Sequence, residues 1–169
     1  EYTSRFWHTL YDFPAIRDGR VKRDELETNL PAGGQGWWIN QRRAMFRDAR
    51  IRRALAYAFD FEWTNKNIMY ASFKRTTSFF DNSDFKAVGL PSPEELALLE
   101  PFRAQLPKEV FEQPWLPPVS DGSGNDRNLL RQADTLLREA GCKRDGSVLK
   151  LPDGKPFTIE FLDFSPTLQ

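Results

Sequence analysis

The sequence has one cysteine, Cys142, so no disulfide can close within it. It has one histidine, His8. One His and one Cys leave no nucleophile–base pair, and no His/carboxylate spacing suggests a metal cage. No catalytic residue, metal site or cofactor is therefore expected. His8 has no orienting partner nearby in sequence and reads as a surface or half-buried aromatic. No stretch approaches the ~20 apolar residues of a membrane span. Glu1-Tyr2-Thr3-Ser4-Arg5 opens the chain without the apolar core of an export signal. Net charge is absent too: 24 lysines and arginines balance 24 acids, which argues against a generic polyanion binder. The glycine-rich Pro31–Gly36 run lacks the Lys-Ser/Thr pair of a phosphate loop, and tryptophans follow it instead. Its glycines serve a tight bend or a close backbone approach.

What is present is aromatic. The 169 residues include 14 Phe and 5 Trp, a load that favours a packed globule over disorder. The chain is organised around Gly36–Tyr70. Trp37, Trp38 and Ile39 suit a short strand, and Asn40 to Arg43 is its polar exit. Asp48 is placed to cap a helix over 48–59, with Ile51, Ala54, Leu55, Ala58 and Phe59 as its apolar stripe. Asp60 then caps a second helix over 61–70. Ser92-Pro93-Glu94-Glu95 is a capping-box start for a helix over 93–100, with Leu96, Leu99 and Phe102 as its apolar side. A fourth helix over 126–140 carries Leu129, Leu130, Ala133, Leu136, Leu137 and Ala140 on one face and stops at Gly141.

Between these elements, the first fourteen residues fit a helix only weakly, and Pro14 ends whatever precedes it. Asp18-Gly19 signals a turn. Val21–Leu30 suits a short amphipathic helix. Thr76–Phe80 has strand or extended character, and Asp81–Asp84 is a turn or loop. The proline-punctuated 107–119 reads as an ordered crossing loop, given Phe111, Trp115 and Leu116 to bury. Asp121–Asp126 has oxygen side chains at alternate positions but lacks the glycine and glutamate of a calcium loop, so it reads as a turn. Residues 147–151 and 157–164 form a hairpin about Pro152–Lys155. The fold class is α/β, with α+β possible, as a single domain over 1–169.

Phe46-x-Asp48-x-Arg50-Ile51-Arg52-Arg53-Ala54-Leu55-x-Tyr57-Ala58-Phe59-Asp60, following an aromatic-Ile-Asn strand end, resembles the extracellular solute-binding proteins of family 5. These are the oligopeptide, dipeptide and nickel receptors of ABC importers. Ser78-Phe79-Phe80-Asp81-Asn82-Ser83, Gly89-Leu90-Pro91, Asp121-Gly122-Ser123-Gly124 and Leu136–Gly141 are similar to the YejA-like branch, which is associated with peptides and the peptide-nucleotide microcin C. The resemblance spans the chain from about Tyr11 onward. It implies part of one lobe of a two-lobed clamshell, and an internal piece of a longer exported, periplasmic protein. The implied partners are a peptide or peptide-like ligand and the importer's membrane subunits, with no nucleic acid.

The strand Trp37–Asn40 matches one that approaches the cleft in that family. Alternation puts Trp38 and Asn40 on one side and Trp37 and Ile39 on the other. Trp38 and Asn40 are the first candidates for ligand contact, with Trp37 and Arg42 next. Burial of both tryptophans in a core is the competing reading. A different function class is open at Arg42, Arg43, Arg47, Arg50, Arg52 and Arg53, a basic run with interleaved aromatics that could bind an anion or nucleic acid. A solvated helix face balanced by acids elsewhere is the plainer reading of that run.

Overall fold

Asp48, Asp60, Ser92 and Asp126 each stand immediately before a helix and cap it. In the computed structural model, which describes residues 3–114 and 116–162, the helices in chain order are α1 (Ser4–Thr9), α2 (Pro14–Arg17), α3 (Ala49–Ala58), α4 (Phe61–Asn67), α5 (Pro93–Leu99) and α6 (Arg127–Glu139). Short 3-10 helices lie at Ala44–Phe46, Glu100–Gln105 and Lys108–Val110. The caps are side-chain hydrogen bonds to otherwise orphaned amides. Asp48 accepts from Arg50 N, Asp60 from Trp63 N, and Asp126 from both Asn128 N and Leu129 N. At α5, Ser92 accepts from Glu95 N while Glu95 accepts from Ser92 N at 2.8 Å, the reciprocal box. The fold is mixed, with six described helices and one small antiparallel sheet.

The chain separates into two compact units: residues 1–37 with 60–125, and residues 38–59 with 126–169. The second unit holds every fully buried apolar residue among those described. Its core is Phe46, Ile51, Ala140 and Cys142, with Ile39, Met45, Leu55, Leu137, Leu149, Leu151 and Phe157 packed around it. Helices α3 and α6 pack together. Their buried Ala54 and Ala133 are small, which lets the backbones approach. Arg50 adds a bond from its guanidinium to the carbonyl of Glu139 at 2.7 Å. After Gly141, which takes the left-handed φ of +88° that a helix stop requires, come β1 (Lys143–Asp145) and β2 (Val148–Lys150). They pair with Arg144 opposite Leu149. Gly146, at φ +60°, takes the first place of the two-residue loop, as a type II′ turn needs.

The first unit contains α1, α2, α4 and α5. Its joints are mostly polar. Asp60 and Glu62, at the start of α4, hold the 118–124 loop. Glu62 accepts from Ser120 N at 2.8 Å, Asp60 accepts from Gly124 N at 2.8 Å, and the Ser120 hydroxyl, with one proton to give, lies within hydrogen-bond distance of both carboxylates. Arg75 lies over the Phe61 ring and donates to the carbonyl of Pro118.

Several expectations are corrected. Trp37–Asn40 and Thr76–Phe80 form no strand: neither is laddered with another described segment, and Phe79 and Phe80 lie in a turn. Val21–Leu30 is not helical; Leu26 and Leu30 are exposed there, so no apolar face is buried to stabilise a helix. Phe6 and Trp7 do lie in a helix, α1, which ends at Thr9, well before Pro14. Pro14 opens α2 at its first position, where its missing N–H costs nothing. Helix α3 ends one residue early, with Phe59 extended at φ −90° and ψ 111° and exposed. Helix α4 ends at Asn67, and Tyr70 and Ala71 are left-handed. Phe102 and Leu116 are exposed rather than buried. The expected second hairpin strand contributes one bridge, Lys150 to Pro156, and the bond from Phe157 N to Leu149 O. Its end at Phe164 lies outside the described residues, as does Trp115.

Candidate functional site

The four residues expected at a ligand surface are consecutive or nearly so, and the division between units falls between the first two. Trp37 ends its stretch of the first unit and is 67% exposed. Trp38 begins the second unit and is 74% exposed. Ile39 packs against the core of Phe46 and Ile51, which anchors the segment and turns its neighbours outward. Asn40 and Arg42 are both exposed. The Asn40 side-chain carbonyl accepts from Arg42 N at 3.1 Å, and its backbone carbonyl accepts from Arg43 N at 3.2 Å. That Asx turn fixes the exit of the segment. Among the described residues the Arg42 guanidinium has no ion-pair partner. Within the second unit the segment therefore offers an indole, an amide and a cation to solvent.

Three of the neighbouring arginines, Arg43, Arg50 and Arg52, are held by structural contacts. Arg43 pairs with Glu160. Arg50 lies against Asp48 with its Nη2 at 2.6 Å, and this guanidinium holds the Asp48 carboxyl below the usual carboxylate range. Arg52 donates to the carbonyls of Phe46 at 2.6 Å and Arg47 at 2.9 Å, closing the turn before α3. Arg53 lines an open cleft of about 550 Å³ between α3 and α6, together with Tyr57, Asn128, Arg131, Gln132, Thr135, Leu136 and Glu139. None of the four sequence candidates lines that cleft. His8 stacks on Tyr70 at 4.8 Å between ring centroids, and its Nδ1 lies 2.8 Å from the Ser4 carbonyl. Burial pushes the Cys142 thiol up, away from reactivity.

Sequence reading missed the joint of Asp60, Glu62, Ser120 and Gly124. Burial opposes the charge on both carboxylates. The bonds from Ser120, and from Trp63 and Gly124 at Asp60, outweigh it and hold both carboxyls below their ordinary values. Local patterns show Asp60 only as a helix cap; its second partners are about sixty residues away.

The family model for the bacterial extracellular solute-binding proteins, family 5, middle region, matches residues 4–167. The chain belongs to that family. A Brucella melitensis protein named only as a binding protein is 43% identical over 162 residues, covering 95% of this chain and 26% of the relative. A protein of Agrobacterium fabrum named as a probable peptide-binding protein, YejA, is 39% identical over 165 residues, covering 96% of this chain and 27% of the relative. The Escherichia coli protein YejA, which is uncharacterized, is 39% identical over 163 residues, covering 96% and 27%. This family-5 chain thus spans about a quarter of the length of the relatives it matches. Membership places it in a family of extracellular binding proteins rather than enzymes. No described helix is long and apolar enough to cross a membrane.

Proposed function

We propose that this chain is an internal part of a longer, exported family-5 receptor that captures a peptide or peptide-like solute for an ABC importer, with the periplasm as its compartment. The observation that carries this reading is the exposure of Trp38, Asn40 and Arg42 in one short stretch of the second unit, in a chain that belongs to a solute-binding family. Indoles bury large area at low entropic cost. An amide and a guanidinium can bond a peptide main chain and its carboxylate. Pockets left loose around a bonded main chain give broad specificity. The naming of the Agrobacterium relative as peptide-binding supports the same substrate class.

The test is a tryptophan-fluorescence titration of the full-length protein, repeated on this chain alone. One arm uses a mixed pool of short peptides, the other a single-stranded oligonucleotide, each at low and high salt. The expected result is a saturable peptide response with modest salt dependence. Trp38→Ala should cost about 2 kcal/mol, roughly thirtyfold in Kd. A full-length protein that ignores a diverse peptide library would refute the reading. A response to the oligonucleotide alone, falling steeply with salt, would move the function to the arginine run.

A further inference from the structure

The neutral chain conceals an uneven distribution of charge. Counted along the sequence, the second unit holds 13 lysines and arginines against 8 acids. The excess comes from residues 42–53, where six arginines stand with one aspartate. Arg43 and Arg50 are held by Glu160 and Asp48, Arg52 by two carbonyls, and Arg53 lines the cleft beside α6. Arg42 and Arg47 remain. Both are exposed, and neither guanidinium is paired with a carboxylate or bonded to a carbonyl among the described residues.

The backbone that carries these two cations is fixed. The Asn40 side chain accepts from Arg42 N at 3.1 Å. Residues 44–46 form a 3-10 turn whose Phe46 is buried in the core. Arg52 clamps the far end of that turn through the carbonyls of Phe46 and Arg47, at 2.6 and 2.9 Å. Arg42 and Arg47 thus flank one anchored turn, with Trp38 and Asn40 exposed just before it. Anchoring cuts the entropic cost of binding, because only the side chains remain to be ordered. A guanidinium takes a carboxylate through two parallel N–H···O bonds. Two such groups suit a ligand with one or two carboxylates. They are few for a nucleic-acid strand, whose salt-sensitive binders make about 6–10 phosphate contacts.

We propose that Arg42 and Arg47 select peptides with acidic side chains, so that the solute is an anionic peptide. This rests on the reading of the chain as part of a peptide receptor. The experiment titrates the full-length protein with four pentapeptides: all-alanine, the same with two glutamates, the same with two lysines, and the diglutamate peptide with an amidated C-terminus. It is repeated on Arg42→Gln, Arg42→Lys, Arg47→Gln and, as a control of equal charge change in the same unit, Lys143→Gln. Thermal unfolding is measured for each. The expected result is a diglutamate Kd about tenfold below that of all-alanine, kept on amidation. Arg42→Gln and Arg47→Gln should each shrink that preference at constant Tm, Arg42→Lys should keep part of it, and Lys143→Gln should leave it intact. Equal Kd for the acidic and neutral peptides would overturn the proposal while leaving the receptor reading in place. So would a preference lost on amidation, which would make the terminal carboxylate the recognised group. So would equal losses in Lys143→Gln, which would make net charge the cause, or a lowered Tm with unchanged preference, which would give the guanidinia a structural role. A protein that binds none of the peptides but binds a single-stranded oligonucleotide would overturn both readings.

Discussion

Gly124→Ala is expected to cost much more than Gly122→Ala, although both glycines lie in one loop and both are left-handed, at φ +78° and +71°. The backbone part is common to the pair. An L-residue in that conformation costs about 1–2 kcal/mol. Loss of glycine's freedom in the unfolded chain returns about 0.4–1 kcal/mol. The net is about 1 kcal/mol for each. Their surroundings differ. A Cβ at position 122 would meet the Glu62 Cβ at 3.7 Å, an ordinary contact. At 124 it would meet the Trp63 ring at Cδ1, 3.0 Å, Nε1, 3.1 Å, and Cγ, 3.3 Å. Gly124 cannot simply retreat, because its N–H is held by Asp60 at 2.8 Å. Asp60 also caps the helix that carries Trp63. Overpacking of this kind costs about 1–3 kcal/mol, so Gly124→Ala should total about 2–4 kcal/mol. That is a large share of the stability of a typical domain. Urea unfolding followed by circular dichroism gives both values, and amide exchange at Ser120, Gly124 and Trp63 localises them. Equal costs for the two variants, within about 0.5 kcal/mol, would refute the assignment of the indole as the steric wall.

Three further outcomes follow from named contacts. Ser92→Ala removes one half of the α5 capping box and should cost about 1 kcal/mol, with loss of exchange protection at Glu95 N. The Lys86 ammonium and the amides of Thr77 and Ser78 pull the Asp81 carboxyl from 3.8 down to about 2. Its stabilising share is therefore present above pH 4 and fades as pH falls from 4 towards 2. An acid titration of Asp81→Asn should be flatter than wild type in that window. Ile51→Ala empties the middle of the core beside Phe46, Ala140 and Cys142 and should cost about 2–5 kcal/mol by thermal unfolding.

The helices were legible because their signals are local. Asp48, Asp60, Ser92 and Asp126 act within three residues of where they stand, so a short window contains the whole interaction. Gly141 is legible for the same reason. Extended segments are different. Trp37–Asn40 has strand composition, but a strand exists only with a partner, and composition does not say whether one is in reach. Asp145-Gly146 carried a turn signal that sequence reading passed over, and β1 was missed with it. The Asp60–Ser120–Gly124 joint was hidden by separation: the cap was readable, but no pattern links a serine to a carboxylate about sixty residues earlier.

Around residues 37–53, three arginines make structural contacts while both tryptophans are exposed. Arginines crowd residues 42–53 like a binding surface. A guanidinium, however, has five donors in a rigid fork, and the turn before α3 and the end of α6 expose carbonyls that need donors. Arg50 and Arg52 answer those carbonyls, while Arg43 neutralises Glu160. The tryptophans were as readily read as core. The core of the second unit has instead been filled by Phe46, Ile51 and the small Ala140 and Cys142, with Ile39 as the one inward residue of its segment. With Ile39 held inward, Trp38 and Asn40 on either side of it are exposed. A Trp38→Ala variant that weakens peptide binding without lowering the Tm is the signature of that exposed role. A core tryptophan would lose stability first.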